Sequence, residues 1–179
     1  MSPQQPAPNR ERQRAGPASY LITFVCYGTR LHGDEGAIDR NHNLPGGRTL
    51  PADRVLLAQS EGLMKHPPYR LDAQRRATVL RGVKSACQRR NWSLLAAHVR
   101  TNHVHAVLQA DSSPERVMNA LKAYASHALN LAGLDASDRP RWARHGSTRH
   151  LWTREQVSNA IRYVVAGQGD QMAVYCRTS

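Results

Sequence analysis

Alternating apolar and polar positions predict three β-strands in this chain. The β-branched and aromatic stretch SYLITFVCYGT (19–29) predicts the first strand. The stretches WSLLAAHV (92–99) and HVHAVLQA (103–110) predict two more, and only RTN separates them. A connection this short predicts that the second and third strands form an antiparallel hairpin.

Helical spacing of apolar residues, together with start and stop signals, predicts four helices between and after these strands. Ser113 followed by Pro114 starts the third helix, whose apolar stripe runs at alternating spacings of four and three. That stripe comprises Val117, Leu121, Tyr124, Ala128 and Leu131. The predicted helices cover 55–66, Asp72 to about Arg90, Ser113 to Gly133, and the segment after a capping box of Thr153 and Gln156.

Helices that alternate with antiparallel strands in a chain of 179 residues predict one α+β domain. We expect a ferredoxin-like (RRM-like) sandwich, in which helices cover one face of an antiparallel sheet. Residues 1–17 are rich in Pro, Gln and Arg and predict a disordered basic arm. The domain is expected over 18–170, with a short C-terminal tail over 171–179. Two turn-rich connections are predicted, a long one at 30–54 and a basic loop at 139–150.

The charge of the chain points to a polyanionic partner. Lys and Arg total 25 against 13 acidic residues, which gives a net charge of +12. Nucleic acid is the commonest partner of so basic a protein, although an Arg-rich solvated surface has the same composition. Three separated cysteines without a CxxC pair indicate neither a zinc knuckle nor a disulfide framework. With no membrane span or signal peptide predicted, a cytoplasmic protein is expected.

Two histidines two apart are the first candidate for chemistry. His103 and His105 lie in the third predicted strand, where residues i and i+2 project to one face. Val104, Ala106 and Leu108 project to the other face and form an apolar surface. The imidazoles could hold a divalent metal if other segments supply further ligands. A chance pair among nine histidines is the alternative.

Helical geometry separates the two tyrosines that follow the histidines on predicted helices. Tyr124 belongs to the apolar stripe of the third helix and is expected to pack in the core. Tyr163 points roughly 130° away from the apolar direction of the last helix. An exposed phenol on a rigid helix suits a nucleophile, although any surface tyrosine has the same appearance.

These segments together resemble the HUH endonucleases, which are named for a His-hydrophobic-His motif. The strand LLAAHV, the strand NHVHAVLQA and a helix beginning SPERV carry the resemblance. It is strongest to the single-tyrosine transposases of small bacterial insertion sequences and their REP-associated relatives. AIRYVVAGQG (160–169) resembles the segment that carries the nucleophile, which assigns that role to Tyr163. YGTRLHGDEG (27–36) and HGSTRHLW (145–152) extend the resemblance to roughly residues 19–170.

One position departs from the family pattern. In that family, a glutamine four residues after the tyrosine can complete the metal site beside the two histidines. Here that position is Gly167, and the glutamine is Gln168. On an unbroken helix this shift turns the side chain about 100° further. Either the helix unwinds at Gly167, or a π-bulge absorbs one residue, or the third ligand is a different residue.

The resemblance implies a metal-dependent endonuclease and transposase that acts on single-stranded DNA, with Mg²⁺ or Mn²⁺ held by His103, His105 and Gln168. Tyr163 would attack a phosphate and leave a 5′-phosphotyrosine. Family members tend to recognise DNA hairpins, and many form homodimers. Candidate DNA contacts are Arg100, Arg141, Arg144 and Arg149 for phosphates, and Trp142 or Trp152 for stacked bases, with core packing as the alternative for each tryptophan.

Two other functions fit the same residues. One is a non-catalytic nucleic-acid-binding module on a ferredoxin-like sheet, although the strand HVHAVLQA offers no aromatic residue for its open face. The other is a domesticated regulator that binds hairpin repeats after losing mobility. The three functions differ in whether a covalent adduct forms with DNA and in whether a mobile element is moved.

Overall fold

A computed structural model of the protein describes residues 17–29 and 53–178. The predicted N-terminal arm and the turn-rich segment 30–54 lie almost wholly outside these residues. None of the helices described is long and apolar enough to cross a membrane. In chain order the elements are β1 (Ala18–Cys26), α1 (Arg54–Gly62), α2 (Ala73–Arg89), β2 (Ser93–Val99), β3 (His103–Ala110), α3 (Pro114–Leu131), β4 (Trp142–Leu151), α4 (Arg154–Ala166) and β5 (Ala173–Cys176).

The predicted helix signals lie at the ends of the observed helices. Asp72 caps α2 by accepting the backbone N–H of Arg75 at 2.8 Å, which satisfies an otherwise unpaired donor of the first turn. Ser113 stands at the N-cap of α3 without a side-chain cap bond, and Pro114 opens the helix. Gly133 follows the C-terminus of α3 with φ +63°, the left-handed conformation that ends many helices.

The five strands form one antiparallel sheet in the order β4-β1-β3-β2-β5. β2 and β3 pair as the predicted hairpin. β3, which carries the histidine pair, is the central strand. β1 and β2 flank it, so residues of both neighbours lie beside the histidines.

α2 and α3 cover one face of the sheet and enclose the larger core. Ile22, Phe24, Leu108 and Leu121 are fully buried there, and each such side chain stabilises the fold by about 1.5–3 kcal/mol. The prediction of an α+β sandwich with helices on one face of an antiparallel sheet is confirmed. One detail of the stripe is wrong, because Leu131 is 76% exposed at the end of α3.

α4 lies on the opposite face and forms a second, smaller core. Ala160 and Val164 of α4 pack against Ala96, Val107 and Leu151 from three strands. This helix covers only part of its face. It therefore brings its C-terminal end to β2 and β3 while leaving neighbouring strand positions open.

Two strands were not predicted from the sequence. The predicted basic loop 139–150 is wrong over most of its length, because Trp142–Leu151 form β4 along the edge of the sheet. Most of its side chains are exposed, so it lacks the apolar alternation that marks a strand. Gly146 lets β4 approach, since a Cβ there would lie 2.5 Å from the Thr23 carbonyl oxygen. In the predicted C-terminal tail, Ala173–Cys176 pair with β2 as β5.

Candidate active site

β3 presents the histidine pair on the face that α2 and α3 leave uncovered. Val104, Ala106 and Leu108 are fully buried in the larger core. His103 and His105 alternate with them, and their ring centroids are 4.8 Å apart. The strand geometry expected from the sequence is therefore present, and the two imidazoles form one polar cluster.

The His105 ring has a polar partner at each nitrogen. Its Nδ1 lies 2.7 Å from the hydroxyl of Thr23, its partner across the β1–β3 ladder, and its Nε2 lies 3.1 Å from Oε1 of Gln168. Burial, and next the nearby His103, lowers the pKa of His105 to about 4, which keeps the ring neutral near pH 7. Because the Gln168 oxygen only accepts hydrogen bonds, the metal-free ring carries its proton on Nε2, and the Thr23 hydroxyl donates to Nδ1. To bind a metal through Nε2, the ring would move its proton to Nδ1, where the Thr23 hydroxyl can accept it.

His103 is oriented by the residue before it. Its Nδ1 lies 2.7 Å from the side-chain oxygen of Asn102. Because an amide oxygen only accepts hydrogen bonds, Nδ1 carries the proton and the lone pair of the ring is on Nε2. Both imidazoles therefore have a polar partner at Nδ1, and Nε2 is the nitrogen of each ring that could act as a ligand.

α4 begins at a capping box and carries Tyr163 near its C-terminal end. The Thr153 hydroxyl accepts the Gln156 N–H at 3.1 Å, while Oε1 of Gln156 accepts the backbone N–H of Trp152 at 2.7 Å. Ala160 and Val164 are the buried residues of this helix. Tyr163 lies off that buried stripe and is 48% exposed.

The phenol ring of Tyr163 contacts the histidine cluster. Its centroid lies 5.7 Å from that of His105, in an edge-to-face arrangement. Tyr124 instead lies half-buried on α3 against the larger core, on the other face of the sheet. The structure therefore brings together the tyrosine selected from helical geometry and the two histidines, and keeps the other helical tyrosine apart.

Unwinding of α4 explains how Gln168 reaches His105 despite its shifted position. α4 ends at Ala166, and the Gly167 N–H closes the last turn on the Tyr163 carbonyl at 3.0 Å. Of the three possibilities left open by the sequence, unwinding at Gly167 is the one observed. Gly169, with φ +73°, then turns the chain towards β5, since glycine adopts that conformation without strain.

A third histidine, His98 on β2, holds the unwound end in place and was missed by the sequence analysis. It pairs with His105 in the β2–β3 ladder and is fully buried. Its Nδ1 donates to the Val164 carbonyl at 2.9 Å, and its Nε2 accepts the Met172 N–H at 3.2 Å. Burial lowers its pKa. A histidine in the otherwise apolar strand SLLAAHV, five residues before His103, was the available signal.

The chemistry of these side chains fits a divalent metal. The two imidazole rings are 4.8 Å apart, and Oε1 of Gln168 is within hydrogen-bond distance of Nε2 of His105. Within 17–29 and 53–178, no cluster of three His, Cys, Asp or Glu side chains could hold a metal, so this set would need the amide as its third ligand. A mixed nitrogen and oxygen set suits Mn²⁺ better than Mg²⁺, which prefers oxygen alone.

Two of the predicted DNA contacts are corrected by the structure. Arg141 is only 4% exposed, and its guanidinium donates to Asp135 and Asn130. The half-buried Trp142 donates its indole N–H to Ser126 and to a backbone carbonyl, and its ring packs edge-on against the core. Both residues therefore stabilise the fold and are not presented to a ligand.

The other predicted arginines remain accessible to a strand of DNA. Arg149 is exposed and pairs with Leu21 across the β1–β4 ladder, which places it on the histidine face. Arg144 is exposed in β4. Arg100 is half-buried and donates to the Asp170 carbonyl at 2.9 Å, in the segment after Gln168.

A buried lysine shapes the part of β4 that carries Arg144. The register of β4 against β1 shifts between the pairs at Phe24 and Cys26, so residues 143–145 form a bulge. The Lys122 ammonium, 8% exposed, donates to the three carbonyls of this bulge at 2.9–3.3 Å. Burial lowers its pKa. Since Val25, opposite this bulge, pairs with His103, the bulge and His103 lie on either side of β1 at the same level of the sheet.

Comparisons with known proteins identify the family. The structure of a REP-associated tyrosine transposase bound to a REP hairpin is similar, with a TM-score of 0.48 and 10% identity over 93% of this chain and 72% of that one. No curated protein matches the sequence. The family model described as Transposase IS200 like matches residues 67–164, a range that contains both histidines and Tyr163. Because this match covers more than half of the 179 residues, the chain belongs to the IS200-like transposase family.

Proposed function

We propose that this protein is a metal-dependent endonuclease and transposase that cuts single-stranded DNA and becomes linked to it through Tyr163. Membership of a transposase family supports DNA as the substrate. The observation that carries the proposal is the contact between the Tyr163 ring and His105, whose own Nε2 lies beside Gln168. Metal-assisted phosphoryl transfer uses a nucleophile that lies next to side chains able to hold a divalent metal.

In the proposed reaction, the Tyr163 oxygen attacks the scissile phosphorus and loses its proton. The bond from phosphorus to the 3′ oxygen breaks, and that oxygen takes up a proton and leaves as a 3′-OH. A divalent ion held by His103, His105 and Gln168 would polarise the phosphate and stabilise its developing charge. The phosphotyrosine bond conserves the energy of the broken phosphodiester, so a 3′-OH can later reverse the step without ATP.

The protein's own residues hold the parts of this site in place. Thr23 and Asn102 each contact the Nδ1 of one imidazole, which leaves Nε2 of each ring for the ion, and His98 fixes the end of α4. α4 is anchored by its buried stripe, which limits the freedom of the Tyr163 phenol. Prior positioning of this kind lowers the entropic cost of bringing nucleophile and phosphate together.

Electrostatic attraction supports binding of the strand to the histidine face. The net charge is +12, and the exposed Arg144 and Arg149 lie on the edge strand beside the site. Phosphate contacts make affinity fall steeply with salt. A hairpin-forming strand as the preferred substrate, and a homodimer as the active form, are part of the proposal and follow from the motif resemblance.

The proposed function is tested with a labelled single-stranded oligonucleotide, Mn²⁺ and a denaturing gel. Wild-type protein should give a cut strand and a covalent protein–DNA band with Mn²⁺ and neither product with EDTA. Tyr163→Phe should lose the band while still binding DNA, and Tyr124→Phe, on the other face of the sheet, should retain it. Binding without any adduct from wild-type protein would favour the non-catalytic binding module instead.

A further inference from the structure

Trp152 carries an exposed ring that the proposed reaction does not use. Its side chain is 77% exposed, although burying an indole removes more apolar surface from water than burying almost any other side chain. Trp152 directly precedes Thr153, the N-cap of α4. A hydrophobic residue at that position often packs against the fourth residue of the helix, here Val157, but the high exposure of Trp152 shows that it does not bury itself there.

The indole instead stacks on a neighbouring imidazole. The rings of Trp152 and His150 are 4.9 Å apart and nearly parallel, at 7°. His150 in turn contacts the edge of the Tyr20 ring at 4.9 Å, and the Tyr20 hydroxyl donates to the Ser112 carbonyl. Because Tyr20 is buried in the larger core, this ladder of three rings is anchored at its inner end and exposed at its outer end.

The backbone fixes this ring ladder before any ligand binds. The Trp152 N–H is held by the side chain of Gln156 in the capping box, and His150 is paired with Tyr20 in the β1–β4 ladder. A ring held in this way loses little conformational freedom when a second flat group stacks on it. Arg154, which is exposed and two residues after Trp152, adds a positive charge near it in the sequence.

We propose that Trp152, backed by His150, is a stacking platform for an unpaired base of the single-stranded DNA substrate. A base offers a flat π-face, and its phosphates match the local positive charge. Trp152, just before α4, and Tyr163, near its end, are about 16 Å apart along the helix axis. Because His150 pairs with Tyr20 on the α2–α3 side of the edge strand β4, a strand that binds both rings would pass around this edge of the sheet. The inference rests on the proposed function for the identity of its ligand.

Binding of an oligothymidylate to the full chain in EDTA tests the platform without cleavage. Wild-type protein should show quenching of tryptophan fluorescence on binding, and Trp152→Phe should lose most of that quenching. Trp152→Leu should bind on the order of tenfold or more weakly than wild type, whereas Trp152→Phe should retain much of the affinity. Leu131→Ala, which alters another exposed apolar side chain, is the matched control and should bind like wild type.

The proposal that Trp152 is a stacking platform would be overturned if Trp152→Leu bound oligothymidylate as tightly as wild type. It would also be overturned if Trp152→Phe showed the same fluorescence quenching as wild type. Equal loss of affinity in Trp152→Leu and Trp152→Phe would overturn it as well, because an aromatic ring at this position would then give no advantage in binding. The adduct assay with Mn²⁺ is run separately on the same proteins. Failure of wild-type protein to form an adduct would count against the nuclease, whereas an adduct without Trp152-dependent quenching would count against the platform alone.

Discussion

Replacing His98 tests how the end of α4 is held. His98→Leu keeps a similar volume in a fully buried position but removes both ring nitrogens. The Val164 carbonyl then loses its 2.9 Å donor, and the Met172 N–H loses its 3.2 Å acceptor. A buried group left without a partner costs about 1–3 kcal/mol. Because the Val164 carbonyl can accept another backbone N–H, we expect a loss of about 1–3 kcal/mol, mainly from the Met172 N–H. Urea unfolding monitored by circular dichroism measures this loss.

The same substitution should also displace the amide that completes the metal-binding set. With His98 gone, the Val164 carbonyl can accept the backbone N–H four residues later, which belongs to Gln168. Extending the helix in this way turns the Gln168 side chain away from His105 by about 100° per added residue. We expect adduct formation at low Mn²⁺ to fall about tenfold or more, as for other residues that orient metal ligands.

A double-mutant cycle separates this positioning role from a general loss of stability. In a Gln168→Ala background, His98→Leu should lower adduct formation little further, because the amide it positions is already absent. Its stability cost should be the same in both backgrounds. If the double variant instead lost adduct by the sum of the two single losses, His98 would not act by positioning Gln168.

Three further predictions follow from the same contacts. His103→Ala and His105→Ala should each lower cleavage far more than affinity for DNA in a filter-binding assay, and equal losses would indicate a DNA-contact role instead. Lys122→Met removes the ammonium that holds the three carbonyls of the β4 bulge. It should therefore weaken DNA binding in the wild-type background but not in the Arg144→Ala background. Additive losses of affinity in binding titrations would contradict this. In EDTA, the free energy of unfolding should fall as the pH is lowered from 6.5 to about 4, by up to about 3 kcal/mol for His105. The cause is that the pKa of His105 is lower in the folded protein than in the unfolded chain, which therefore takes up the proton first. A free energy of unfolding that does not change with pH in urea titrations would count against this.

Local patterns were sufficient for the elements that carry the site. Strand alternation gave the common direction of His103 and His105, and helical spacing separated Tyr163 from Tyr124. Both inferences depend only on the repeat of a single strand or helix. The N-cap at Asp72 was also readable, because a cap is formed by residues a few positions apart.

Features that depend on contacts between distant residues could not be predicted in the same way. β4 has no apolar alternation, and its place in the sheet depends on pairing with β1 and on the buried Lys122. Arg141 looks like a surface cation until Asp135 and Asn130 are brought around it. The burial of Trp142 likewise depends on Phe24 and Ser126, which come from segments far away in the sequence.

The unwinding that brings Gln168 to His105 is also a tertiary effect. The sequence showed the one-residue shift and the two glycines beside it, but not which way the helix would end. His98, 70 positions before Gln168, decides this by taking the Val164 carbonyl. A partner so far away along the chain leaves no local signal.

The proposed reaction depends most on the convergence of the histidine pair and the Tyr163 phenol on one cation. Anomalous diffraction from crystals of the protein soaked in Mn²⁺ measures this directly. We predict an anomalous peak bonded to His103, His105 and Gln168, beside the Tyr163 ring. A peak bound elsewhere, or no peak at these imidazoles at saturating Mn²⁺, would contradict the proposed metal site.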